Sequence, residues 1–148
     1  LLSKKTVKTA SFAIVLIFVA ALSRAAVQSG TAGSILTGIS TAEQADRGKV
    51  TYQASCASCH GANLMSRSDD APSLSGPDFK IGWNGKTIGD LYERVRTSMP
   101  MGAVGTLSDQ QYVDIIAFVL QSNGYPAGHQ ELKPDLTALK QITIEPVP

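Results

Sequence analysis

Cys56-Ala57-Ser58-Cys59-His60 is the stretch on which the reading of this chain turns. Two thiols at i and i+3, at the end of a helix, can each form a thioether with a vinyl group of one porphyrin. The imidazole that follows can then meet the iron from one face. Five residues supply three links, and C-x-x-C-H reads as a site of covalent haem attachment. The same cysteines would suit a redox disulfide, but that use of C-x-x-C goes with a βαβ pattern, which the sequence lacks. A closed zinc site needs four ligands. The chain offers Cys56, Cys59, His60 and the distant His129, and His60 is cramped directly beside Cys59. The motif therefore implies one haem, attached at Cys56 and Cys59, with His60 on the iron.

Upstream, Thr41-Ala42-Glu43-Gln44 is a capping box: the Thr41 hydroxyl can accept from the N–H three residues on, and Gln44 can reach back. A helix is predicted over 42–55. Gly48, Tyr52 and Cys56 recur every four residues and so share one face. Residues 61–85 carry much Gly, Ser, Asp and Pro with no sustained period, and read mostly as loop. A loop that long is unusual in a compact domain unless something else orders it. A second helix is predicted over 87–97, with Asp90 three residues after a Thr cap, Leu91 and Val95 on one face and Arg94 on another. A third, strongly apolar, opens at the capping box Ser108 to Gln111 and runs to about 122. Asn123-Gly124 tolerates positive φ and stops it, and Pro126 prevents continuation. Residues 125–148 read as a tail with several prolines and a short helix near 134–140. No strand-like alternation or internal repeat stands out, so the class is all-α.

A haem with His on one side is five-coordinate or has a second axial ligand. The candidates are Met65, Met99, Met101 and His129. Met65 follows His60 by five residues and leaves on the same side of the porphyrin. Met99-Pro100 sits in the turn between two helices, where Pro100 fixes the backbone and removes a donor just after the thioether. Gly102 and Gly105 let that loop run close to a flat macrocycle. Met99 is the preferred ligand; Met101, on the same loop, is not dismissed by chemistry alone.

The amino-terminal segment differs in kind. Lys4, Lys5 and Lys8 precede a 13-residue apolar run, 10–22, and Ser23-Arg24-Ala25 follows. This is the basic, apolar and small-residue order of a secretory signal, and the apolar run is short for a membrane span. Export is expected, to the periplasm or an equivalent compartment, with an uncleaved membrane anchor as the alternative. Four of the 13 basic residues lie in that segment; without them nine face 12 acidic residues, and the formal charge of +1 becomes −3. No basic face for nucleic acid is expected.

Over about 41–124 the chain resembles the class I mono-haem cytochromes c. The resemblance implies the cytochrome c fold: three to five helices wrapped around one covalent haem c, with the N- and C-terminal helices crossing. In that family a Gly and an aromatic on the first helix meet an aliphatic and an aromatic on the last. Gly48 and Tyr52 fit the first pair, Ile115 and Phe118 the second, and Gly48 is expected against Phe118. Pro72-Ser73-Leu74-Ser75-Gly76 is similar to the proximal loop, so the Pro72 carbonyl would accept from His60 Nδ1 and Leu74 would pack on the porphyrin. Trp83 resembles an indole that donates to a haem propionate, and Ser98-Met99-Pro100 resembles the distal ligand loop. The expected layout is a signal peptide at 1–25, a flexible linker at 26–40, a cytochrome c domain at 41–124 and a C-terminal extension at 125–148. The implied function is single-electron transfer by an exported carrier, not enzymatic catalysis, in transient contact with a redox protein donor and acceptor. A dedicated cytochrome subunit of a periplasmic dehydrogenase or oxidase complex is the alternative. The segment after Leu107 is similar to cytochromes that serve periplasmic quinoprotein dehydrogenases.

Overall fold

The computed structural model describes residues 34–66 and 69–147, so the segment read as a signal peptide lies outside the described residues. Six α-helices are described: α1 (Ala42–Ser55), α2 (Ala57–His60), α3 (Gly76–Trp83), α4 (Ile88–Ser98), α5 (Asp109–Ser122) and α6 (Leu136–Leu139). The first five fall within 41–124. Among the described residues no helix is long and apolar enough to cross a membrane.

Local chemistry starts the long helices where expected. The Thr41 hydroxyl accepts from Gln44 N–H, and Thr87 with Asp90 and Ser108 with Gln111 make complete capping boxes. The first box is not completed. Gln44 is fully buried and turns inward, where its Nε2 donates to Asp114 Oδ1 (3.0 Å) and the Leu132 carbonyl (2.9 Å). Its Oε1 accepts from Leu132 N–H (2.8 Å). A buried primary amide needs both donor and acceptor partners, and the interior offers them.

The crossing of α1 and α5 is the framework of the fold. The approach is so close at Gly48 that a Cβ there would stand 1.8 Å from the Asp114 carbonyl oxygen and 2.9 Å from Ile115 N. The atoms nearest Gly48 are therefore the Asp114–Ile115 backbone, where Phe118 was expected. Phe118 meets Tyr52, as the pairing of the two helices implied, with ring centroids 5.3 Å apart and planes at 53°, an edge-tilted aromatic contact. Tyr112 through Leu120 of α5 are all buried, because the helix is covered on every side. Asp114 lies within that run. Arg47, Gln44 and Gln110 all donate to its carboxylate, as a buried charge requires.

Three segments differ from expectation. Residues 61–85 are not all loop, since α3 forms there with Ser75 as N-cap and Pro77 in its first turn. Ser34–Ser40, expected as part of a flexible linker, is folded. It contains a 3₁₀ turn (Ile35–Thr37), and Ile35 is fully buried. Gly38 and Gly128 pack backbone to backbone, with Gly128 N–H donating to Ser40 (2.7 Å), and the Ser34 hydroxyl donates to Glu145. The tail is likewise built in. Tyr125, Leu132, Leu139 and Ile144 join the core. Ile88 N–H donates to Ile142 (2.8 Å) and Ile144 N–H to Lys86 (2.8 Å), a short antiparallel pairing that pins the start of α4. Lys140 closes it by binding Asp90 (2.6 Å) and Glu93 (2.5 Å).

Candidate functional site

α1 ends at Cys56, and one turn of α2 carries Cys59 and His60. The turn begins a cleft of about 220 Å³ whose walls come from α3, α4, α5 and the loops between them. Cys56, Cys59, His60, Pro72, Leu74, Trp83 and Met99 all line it, together with Met101. Met65 and His129 do not; Met65 is 56% exposed. The rest of the lining is largely apolar: Phe79, Leu91, Val95, Pro100, Ile115, Ile116 and Val119.

His60 is buried, with Nδ1 2.9 Å from the Pro72 carbonyl. A carbonyl can only accept, so Nδ1 carries the proton and the neutral ring keeps its lone pair on Nε2. That nitrogen is the one free to ligate a metal. Tyr52 supports the turn by donating to the Gly61 carbonyl (2.7 Å). Burial, with the neighbouring Cys59 as a smaller cause, pushes the Cys56 thiol up to about 11. It is a neutral thiol near pH 7 and not a reactive thiolate of the kind that drives disulfide exchange. Neither cysteine is disulfide-bonded. Among the described residues there is no group of three or more His, Cys, Asp or Glu side chains suited to hold a bare metal ion.

On the opposite wall Met99 is the C-cap of α4. Its N–H donates to Val95 (2.9 Å) and its carbonyl accepts from the Tyr112 hydroxyl (2.9 Å). The Met99–Pro100 peptide is cis. Met99 is half-buried, whereas Met101 is 72% exposed. Trp83 stands at the end of α3 under Lys86, whose Nζ lies 4.9 Å from the ring centroid.

Three contributors were not singled out from the sequence. Arg94 lines the cleft, and its guanidinium has no protein partner among the described residues. Tyr112 and Asn123 lie just outside and hold the loops on either side. The Asn123 side chain bridges α5 to Leu74 and Gly76. Nothing in the local sequence marks Tyr112, and Asn123 is legible there only as part of the Asn123-Gly124 stop of the last long helix. Arg94, one helical step from Leu91 and Val95, was legible only as a polar position on the other face.

A family model described as cytochrome C oxidase, cbb3-type, subunit III, matches residues 43–119. The chain belongs to this family. It is a cytochrome c domain, and such domains perform electron transfer through a covalently held haem c. The donor set fits that group: two thiols at the right spacing, an imidazole with Nε2 free, a thioether across the cleft and apolar walls between them. Among solved structures, the cytochrome is similar to a chain of the sulfane dehydrogenase SoxCD from Paracoccus pantotrophus. The match has 28% identity and a TM-score of 0.48, covering 73% of this chain and 60% of that chain. None of the curated proteins compared matches.

Proposed function

We propose that this cytochrome is an exported single-electron carrier holding one haem c. Cys56 and Cys59 would be the thioether links, and His60 Nε2 and the Met99 thioether would hold the iron. The observation that carries this reading is the convergence of those four side chains on one apolar-walled cleft, with His60 Nδ1 already committed to Pro72. When bound, the haem supplies the one-electron Fe(III)/Fe(II) change, with thioether ligation favouring the reduced form.

The chain's own residues orient and exclude. Pro72 holds the imidazole plane and its tautomer. Leu74, Phe79, Ile115, Ile116 and Val119 keep water from the cleft. Trp83 and Arg94 would offer the haem carboxylates an indole N–H and a guanidinium that has no protein partner among the described residues. Met99 is favoured over Met101 because its backbone is tied at both ends, to Val95 and to Tyr112. A thioether on an anchored backbone loses less entropy on ligation.

Were His60 and Met99 both to hold the iron, no position would be left on it for a substrate, which favours a carrier over an enzyme. Donor and acceptor would be redox proteins that meet the cleft edge near the exposed Cys59 through the small interfaces usual in such encounters. The basic and apolar start of the chain supports export to the periplasm, or tethering to the membrane if that segment is retained. A dedicated subunit of a dehydrogenase or oxidase complex is the second reading, favoured by a family description that names an oxidase subunit.

Acid-acetone extraction of the purified, coloured protein tests the attachment: colour should stay with the polypeptide, and full extraction into solvent refutes it. The mass of the same sample reports whether residues 1–25 are retained. Elution with a larger subunit on a sizing column separates complex from free carrier.

A further inference from the structure

We infer that Asn123, at the C-terminal end of α5, is a positioning residue that sets the His60–Pro72 hydrogen bond and thereby biases the Fe(III)/Fe(II) equilibrium. The inference rests on His60 being an axial ligand, as proposed above. Asn123 Nδ2 donates to the Leu74 carbonyl (2.9 Å) and to Val119 of its own helix (2.8 Å), and Oδ1 accepts from Gly76 N–H (3.0 Å). Leu74 is held from the other side as well, its N–H donating to Leu64 (2.7 Å). The segment 74–76 is thus clamped between α5 and the chain that leaves α2.

Pro72 lies two residues before that clamp. It is exposed, has no N–H to donate, and its carbonyl meets His60 alone among the described residues. Nothing on its solvent side aims the carbonyl, so its direction is set by the held chain that follows. A carboxamide donates to Leu74 and Val119 and accepts from Gly76 at once, whereas a hydroxyl has a single proton to give. A firmly held acceptor on Nδ1–H makes the imidazole a stronger donor at Nε2, which favours the oxidised iron. Loosening the clamp should therefore raise the reduction potential.

The test uses Asn123→Ala and Asn123→Ser in the haem-loaded protein, with Gln121→Ala, an exposed neighbour, as control. Ser can still bond Val119 one turn back but is too short to bridge the loop. It separates capping from positioning, and it decides the matter alone if the Ala variant does not accumulate. Both Asn123 variants should shift the Fe(III)/Fe(II) ratio toward Fe(II) by about threefold at fixed ambient potential, about 28 mV at 59 mV per tenfold. His60 Nδ1–H, followed by NMR in the reduced protein, should exchange at least several-fold faster. The Gln121 variant should match wild type in both. Asn123 variants that melt earlier but keep wild-type potential and exchange overturn the inference and leave Asn123 a helix cap. A wild-type protein with no His-ligated haem overturns the proposed function first and this inference with it, and the wild-type spectrum shows that before any variant is made.

Discussion

Gly48→Ala tests the framework that brings the cleft together. In an ordinary helix interior the substitution would be favourable by about 1 kcal/mol. Here the new Cβ would lie 1.8 Å from the Asp114 carbonyl oxygen, 2.3 Å from its carbon and 2.9 Å from Ile115 N. All three are backbone atoms of a buried helix and cannot rotate away. Restoring an ordinary non-bonded separation of about 3.5 Å requires α1 and α5 to part by more than about 1.5 Å. That movement would strain the Tyr52–Phe118 contact and the bonds from Gln44 to Asp114 and Leu132. Overpacking of this kind costs about 1–3 kcal/mol and occasionally more. With rigid atoms on both sides the upper end applies, and the propensity gain offsets only part of it. The net is a destabilisation of about 2 kcal/mol, or roughly 8 °C in melting temperature for a domain of this size. Gly82→Ala is the matched control: it lies in α3, and a Cβ there meets nothing within 4 Å, so its melting temperature should hold or rise by a few degrees. Thermal unfolding of the haem-loaded proteins by circular dichroism makes the comparison. A Gly48→Ala protein that melts with wild type would mean the helices do not touch there.

In the oxidised protein, Met99→Ala should abolish the weak far-red thioether-to-iron absorption and lower the potential, while Met101→Leu should keep the band; the reverse result moves the proposed ligand to Met101. Cys56→Ser should leave at most one thioether and cut the yield of coloured protein sharply, and an undiminished yield would count against attachment at Cys56. The Lys140 ammonium, followed by Thr87, holds the Asp90 carboxyl well below the usual carboxylate range. Because the folded state lowers that pKa, the stability from Asp90 is complete above the unfolded value of about 3.9 and fades as pH falls below it toward the folded value. The difference in melting temperature between wild type and Lys140→Met should therefore be constant from pH 6 down to about pH 5 and narrow progressively as pH falls below about 4; a gap that stays constant throughout would show that the pair does not titrate in this way.

What the sequence reveals here is what is decided locally. Cys56, Cys59 and His60 are legible because attachment chemistry fixes their spacing, and Thr41, Thr87 and Ser108 because a cap bonds the backbone within three residues. Gln44 was misread by the same local logic: its reach back to Thr41 was available, but a buried amide found better partners 70 and 88 residues away. The resemblance puts Gly48 at the helix crossing but does not say that its nearest atoms are the Asp114–Ile115 backbone. Which residue opposes which depends on axial register, and no pattern within one helix carries that. α3 was hidden in a Gly- and Pro-rich stretch, although Ser75, Pro77 and Asp78 together make a fair helix start. Ile35 shows the converse: in a stretch rich in Gly, Ser and Thr it nonetheless reaches the core, with Leu36 and Ile39 packed against it.

The residues that could not be read explain how a cleft built from separate loops keeps its dimensions. α5 supplies the floor through Ile115, Ile116 and Val119. Its first turn carries Tyr112, which ties down the carbonyl of Met99 on one wall, and its C-cap is Asn123, which ties down Leu74 and Gly76 beside Pro72 on the other. At 1.5 Å per residue those anchors are about 16 Å apart along a rigid rod. The same rod meets Gly48 of α1, the helix that delivers Cys56 and the turn holding His60. The imidazole side and the thioether side are thus referenced to one helix and not to each other through flexible chain. Little reorganisation is then expected when the iron changes charge, because neither loop can relax without breaking a bond to α5. On this argument the demanding positions of α5 are Tyr112, Asp114 and Asn123 as much as its apolar ones. Polar residues there look incidental in the sequence and set the geometry in the fold.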